Sequence, residues 1–188
     1  MEHFFLDGYE LTSYNYLILC HNTMLSLVKR ANRRDWHNIK LELKQGDEEL
    51  LNNHDIEYLR LHGYKEEISS LYYRHMFFSV WADYLDYTYE ANIAASKMKA
   101  SIAYSLLRKP LKDNLYFLEV LENKGVEFIY EFLDKSIDEF SIDKIDEETK
   151  KNTIYEVSKD VFSKSYAETL YNIRYSKKED IRVRKNME

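Results

Sequence analysis

From Leu11 to Arg34, apolar residues fall at Leu11, Tyr14, Leu17 or Ile18, Met24 or Leu25, and Val28. Steps of three and four residues are those of a helix with one broad buried face, so a first helix is predicted here. Thr12 or Ser13 is placed to cap its start, and Lys29, Arg30, Arg33 and Arg34 set cations against the negative end of its dipole. Between Asp35 and Gly63 the pattern is mixed. Ile39, Leu41 and Leu43 alternate with Lys40, Glu42 and Lys44 as in a short strand, yet Leu43, Leu50, Leu51, Ile56, Leu59 and Leu61 also fit short helices. Short helices are expected, with breaks at Gly46, Asn52-Asn53 and Gly63.

From Tyr64 the helical spacing strengthens: Ile68, Leu71, His75, Phe78, Ala82, Leu85 and Tyr89 share a face that Tyr72, Trp81 and Tyr84 widen. A helix carrying so many aromatics belongs at the centre, packed on the first helix and on a third over Ser96 to Lys109. The 45 residues Lys65 to Lys109 contain no glycine or proline. Unbroken, they would span about 68 Å at 1.5 Å per residue, so a bend or loop is expected near Ala91–Lys97. Pro110 removes an amide donor and disfavours helical geometry at Lys109, which predicts a boundary there and a new helix from Leu111 to Lys124. Gly125 closes that helix, and Val126 to Asp134 reads as another short one.

A last helix is predicted from about Glu147 to Tyr175, ahead of a charged tail, Ser176 to Glu188. The expected organisation is one all-α bundle of about four principal helices plus short helices and a C-terminal helix. Residues 1–135 make its core, 136–151 a polar linker that is itself partly helical, and 152–188 a helix and tail on the same domain.

Composition adds limits. The chain has 188 residues, enough for one core, with 45% apolar and 32% charged residues, four glycines and one proline. That balance is helical and far from disorder. A net charge of −6 argues against a generally basic surface that coats nucleic acid, and leaves room for a local basic patch. The single cysteine, Cys20, has no internal disulfide partner and is expected to be a buried small hydrophobe. A cytoplasmic location is the default expectation. The start Met1-Glu2-His3-Phe4 lacks a basic leader region, and no apolar run approaches about 18 residues, so no membrane association is expected.

Two constellations carry chemistry. Asp83, Asp86 and Glu90 lie along one strip of the central helix. No histidine has a glutamate three residues before it and no two histidines stand four apart, so neither a metal nor a cofactor is expected. The carboxylates are instead expected either to be solvated or to pair with Arg108, Lys109 or Lys97. His75, on the apolar stripe, is expected to be a hydrogen-bonded core residue.

The second constellation is the run Arg108-Lys109-Pro110-Leu111-Lys112-Asp113-Asn114. A cationic corner opening a helix can hold a phosphate or a partner's carboxylate. It can equally be a structural corner with Arg108 bridged to a buried carboxylate. Both readings are open at this stage.

The runs Tyr84-Leu85-Asp86-Tyr87-Thr88-Tyr89-Glu90-Ala91 and Ile102-Ala103-Tyr104-Ser105-Leu106-Leu107-Arg108-Lys109-Pro110-Leu111 resemble those of HEPN-like helical proteins of bacteria. The resemblance spans roughly Ile68 to Leu121. It implies a small helical bundle, often dimeric, of a kind that serves as ribonucleases in toxin–antitoxin or phage-defence systems. Catalytic members carry an arginine, four to six residues and then a histidine; here Arg30 and His37, six residues apart, have that spacing. By resemblance, His37 would act as acid or base and Arg30 would stabilise phosphate charge, provided both face one groove.

Two functions are therefore expected. One is a non-catalytic interaction or dimerisation module of a bacterial defence or regulatory system, forming a homodimer or docking a protein partner. The alternative is a HEPN-like ribonuclease acting on RNA.

Overall fold

The computed structural model describes residues 8–44, 47, 56–134, 140–161 and 163–175, and every regular element among them is helical. In chain order these are α1 (Gly8–Arg33), α2 (Ile56–Leu61), α3 (Lys65–Ser96) and α4 (Ala100–Lys109). A π-helical segment, Pro110–Asn114, joins α4 to α5 (Leu115–Lys124), which leads to α6 (Val126–Asp134). A 3-10 turn, Ile142–Lys144, precedes α7 (Glu147–Ser158) and α8 (Lys164–Tyr175). The all-α class holds.

α3 is the axis. Its 32 residues extend about 48 Å at 1.5 Å per residue, and α1, α2, α4, α5, α6 and the π segment all pack on it. Aromatic residues around its circumference suit a helix covered from several sides. The main core joins Tyr116, Val120 and Leu121 of α5 to Phe128 and Ile129 of α6 and to Ile142, with Tyr72, Tyr73, Met76 and Phe77 of α3 against them. A second cluster, Leu59, Tyr64 and Ile68, is covered by Leu41 and Leu43. The Tyr64 hydroxyl accepts from the Lys44 amide at 2.8 Å and donates to Asp47 at 2.7 Å. Residues 38–44 therefore follow a non-helical path on that cluster, neither strand nor short helix. Gly63, at φ 105°, makes the break between α2 and α3, while Gly46 and Asn52-Asn53 lie outside the described residues.

Several expectations are corrected. α3 continues through Ala91 to Ser96 before a turn at Lys97–Met98, because small residues there let α4 approach: Ala91, Ala94, Ser96 and Ala103 are all buried. Pro110 does not end the helical path. Its missing amide and bulky ring are accommodated by a widened turn in which the Leu115 amide reaches back five residues to the Pro110 carbonyl. The last helix is two helices, α7 and α8, joined through Ile154, Ala167 and Tyr171. α7 begins at Glu147, where the last helix was expected to start, and Asp146 caps it by accepting from the Thr149 amide at 2.8 Å. Ile142, inside the expected linker, is buried.

α1 starts at Gly8, so Thr12 does not cap it; the Thr12 hydroxyl donates to the Gly8 carbonyl within the helix. More important, α1 has no buried residue at all, and Leu11 and Leu17 of its expected core face are exposed. Cys20 is only partly covered and His75 is exposed, against the expectation that both lie in the core.

Candidate functional site

The widened turn organises the corner that the sequence singled out. Arg174, near the end of α8, donates from Nε to the Leu111 carbonyl at 2.8 Å, and the Tyr175 hydroxyl donates to the Lys112 carbonyl at 3.0 Å. Carbonyls in the altered turn thus receive donors from α8. The same Arg174 donates from Nη1 to Glu119 of α5 at 2.6 Å and from Nη2 to the Tyr175 hydroxyl at 3.0 Å. Its side chain is 4% exposed.

Burial pushes the Glu119 carboxyl above its usual range although Arg174 pulls it down, and Glu119 Oε2 has no hydrogen-bond partner among the described residues. Burial also pushes the Tyr175 hydroxyl up to about 12. The buried ion pair expected of Arg108 is made by Arg174. Sequence reasoning missed Arg174 and Glu119, though a lone charge between Leu118 and Val120 on an inward helix face was a signal for one of them.

Most of the corner's charges are matched internally. Lys112 pairs with Asp143 at 2.5 Å, which holds the Asp143 carboxyl below its usual range. Lys109 pairs with Asp83 at 3.2 Å and lies 4.9 Å over the Tyr87 ring. Asp113 is half-buried, and burial raises its carboxyl above the usual range against the pull of Lys112, Lys109 and Arg108. Asn114 is buried, with its amide 3.5 Å from the Val80 carbonyl. Arg108 is exposed on a 500 Å³ cavity shared with Lys112 and Arg174, and has no ion pair among the described residues. Asp86 and Glu90 are exposed and likewise unpaired among them, so of the acidic strip only Asp83 meets a cation. No grouping of ligand residues that could hold a metal occurs among the described residues.

At the other candidate centre, α1 ends at Arg33 and Asp35 takes a left-handed conformation, φ 56°. The chain then doubles back, and the Trp36 amide donates to the Ala31 carbonyl at 3.1 Å. Arg74 of α3 pins the turn: Nη1 donates to the Trp36 and Asn38 carbonyls, each at 2.9 Å, and its guanidinium lies 5.4 Å over the Trp36 ring. His37 follows this reversal, with Nε2 3.8 Å from Asp35. The straight helix that would have aligned Arg30 with His37 is therefore absent. Arg30 borders a 390 Å³ cavity with Trp36, Phe77, Phe78 and Trp81. That cavity shares no lining residue with the one that Arg108 borders, and His37 lines neither.

Exposed apolar side chains occur on several elements, Tyr104 of α4 and Ile173 of α8 among them, and on α1 Tyr9, Tyr16, Leu19 and Leu27 face solvent, Leu19 at 63%. A scan against protein-family models, a search of curated proteins and a search of solved structures each return no match.

Proposed function

We propose that this chain is a non-catalytic interaction module that pairs with a second copy of itself through the outer face of α1. The observation that carries this reading is the imbalance of α1: a helix of 26 residues that buries none of them while presenting Tyr16 and Leu19 outward. Helices of globular proteins owe most of their stability to packing of an apolar face, and a second copy supplies the missing cover. Leu19 is flanked on the same face by Thr12, Asn15, Thr23 and Ser26, and these short side chains permit a close approach. Charge selects the direction. Lys29, Arg30, Arg33 and Arg34 crowd one end of α1, so parallel copies would bring like charges together, whereas antiparallel copies separate them and oppose their helix dipoles.

The setting, a bacterial defence or regulatory system, rests on the HEPN-like resemblance alone. The ribonuclease alternative is the weaker reading, because Arg30 and His37 stand on either side of the reversal at Asp35.

Single-cysteine variants test both the face and the direction. In a Cys20→Ser background, Leu19→Cys lies beside the antiparallel two-fold and should give a disulfide-linked dimer on mild oxidation. Arg33→Cys should not, since two such residues stand about 40 Å apart at 1.5 Å per residue, far beyond disulfide reach. Cross-linking by Arg33→Cys alone would overturn the antiparallel pairing, and cross-linking by neither would remove this face as the contact.

A further inference from the structure

The cavity between the end of α1 and the middle of α3 has features that self-association does not use. Its walls are Trp36, Phe77, Phe78 and Trp81, and Arg30 and Arg34 stand at its border. The aromatic rings hold one another edge to face: Trp36 to Phe78 at 5.0 Å between centroids and Phe77 to Trp81 at 4.9 Å. Arg74 fixes the backbone on both sides of His37. The volume, 390 Å³, is within the range of about 300–1,000 Å³ typical of small-molecule sites.

Two observations say what chemistry is missing. The Trp81 indole N–H is shut off from solvent and has no acceptor among the described residues, whereas buried donors are nearly always satisfied. Arg30 and Arg34 are exposed and have no carboxylate partner among the described residues. The nearest acid in sequence, Asp35, is engaged by the Asn38 amide at 2.6 Å and lies 3.8 Å from His37. The cavity thus offers aromatic walls and two spare cations.

We infer that this cavity binds a small organic anion with a flat apolar body, of the aromatic carboxylate class. The ring would lie against Trp36 and Phe78 and the carboxylate would face Arg30 and Arg34. The proposal does not depend on the pairing of α1, since it uses the inner border of that helix rather than Leu19.

The chain's two tryptophans, Trp36 and Trp81, both line the cavity, so intrinsic fluorescence reports on this site alone. The probe is 2-naphthoate, followed by titration calorimetry and by tryptophan emission, against the isosteric amine 2-naphthylmethylamine. The wild type should bind 2-naphthoate saturably with a change in emission. The double variant Arg30→Gln/Arg34→Gln should weaken binding at least tenfold, and Ala31→Leu, which adds bulk to the lining, should abolish it. Because both arginines are exposed, the double variant should keep the wild-type circular dichroism and Tm, and Ala31→Leu gives an independent reading. No saturable binding of 2-naphthoate overturns the proposal, as does equal affinity for the amine or undiminished affinity in both variants. Emission changes with a single-stranded oligonucleotide and none with 2-naphthoate would overturn it in favour of a nucleic-acid surface.

Discussion

Arg174 keeps a full charge out of water by satisfying three of its nitrogens with Glu119, the Leu111 carbonyl and the Tyr175 hydroxyl. Truncating it leaves Glu119 buried and unpaired. Arg174→Ala should therefore lower unfolding stability by about 3–5 kcal/mol, as for other broken buried pairs. Arg108→Ala, at an exposed position, should change it by no more than about 0.5 kcal/mol. Urea denaturation of the two variants checks this ordering, and the reverse ordering would contradict it. Both arginines are plain in the sequence, but spacing does not tell which one a fold returns to a distant carboxylate. Cys20 and His75 illustrate the same limit. Each sits in an apolar run, yet Cys20 is only partly covered and His75 is exposed.

Among the elements, most of α3 was legible from its aromatic face and its freedom from glycine and proline, though not its end at Ser96, since that freedom continues to Lys109. The passage through Pro110 was not. Proline's local cost is readable, whereas its offset comes from α8, some 63 residues later, which donates to the Leu111 and Lys112 carbonyls. α7 was placed from its start but run together with α8, since the apolar period continues across the break.

Its cap gives a test. Hydrogen bonds from the Thr149 hydroxyl and amide hold the Asp146 carboxyl below its usual range. The folded state binds that proton less tightly than the unfolded chain. The cap's contribution is thus complete above the ordinary aspartate pKa and is lost as pH falls through the lowered one. Asp146→Ala should have a lower Tm than the wild type at neutral pH, and the two curves should converge in acid. A gap that persists at the lowest pH would contradict the capping account.

For the whole molecule, the class and the central helix were predictable, while the exposure of α1 was not. Of the apolar positions assigned to an internal core, Leu11 and Leu17 are exposed and Tyr14, Ile18, Met24, Leu25 and Val28 are only partly covered, because α3 packs along one side of α1. At the corner by Pro110, Lys109 and Lys112 are paired with Asp83 and Asp143, while Arg108 stays exposed without an ion pair among the described residues. No helix among the described residues is long and apolar enough to cross a membrane. Sedimentation equilibrium of the wild type and of Leu19→Glu, from low micromolar to several hundred micromolar, is the most direct measurement. The account predicts a wild type of twice the 22.7 kDa chain mass and a Leu19→Glu variant of single mass that keeps the wild-type circular dichroism and has a lower Tm. A wild type that stays at single mass across the range, or a Leu19→Glu variant that remains dimeric, would contradict it.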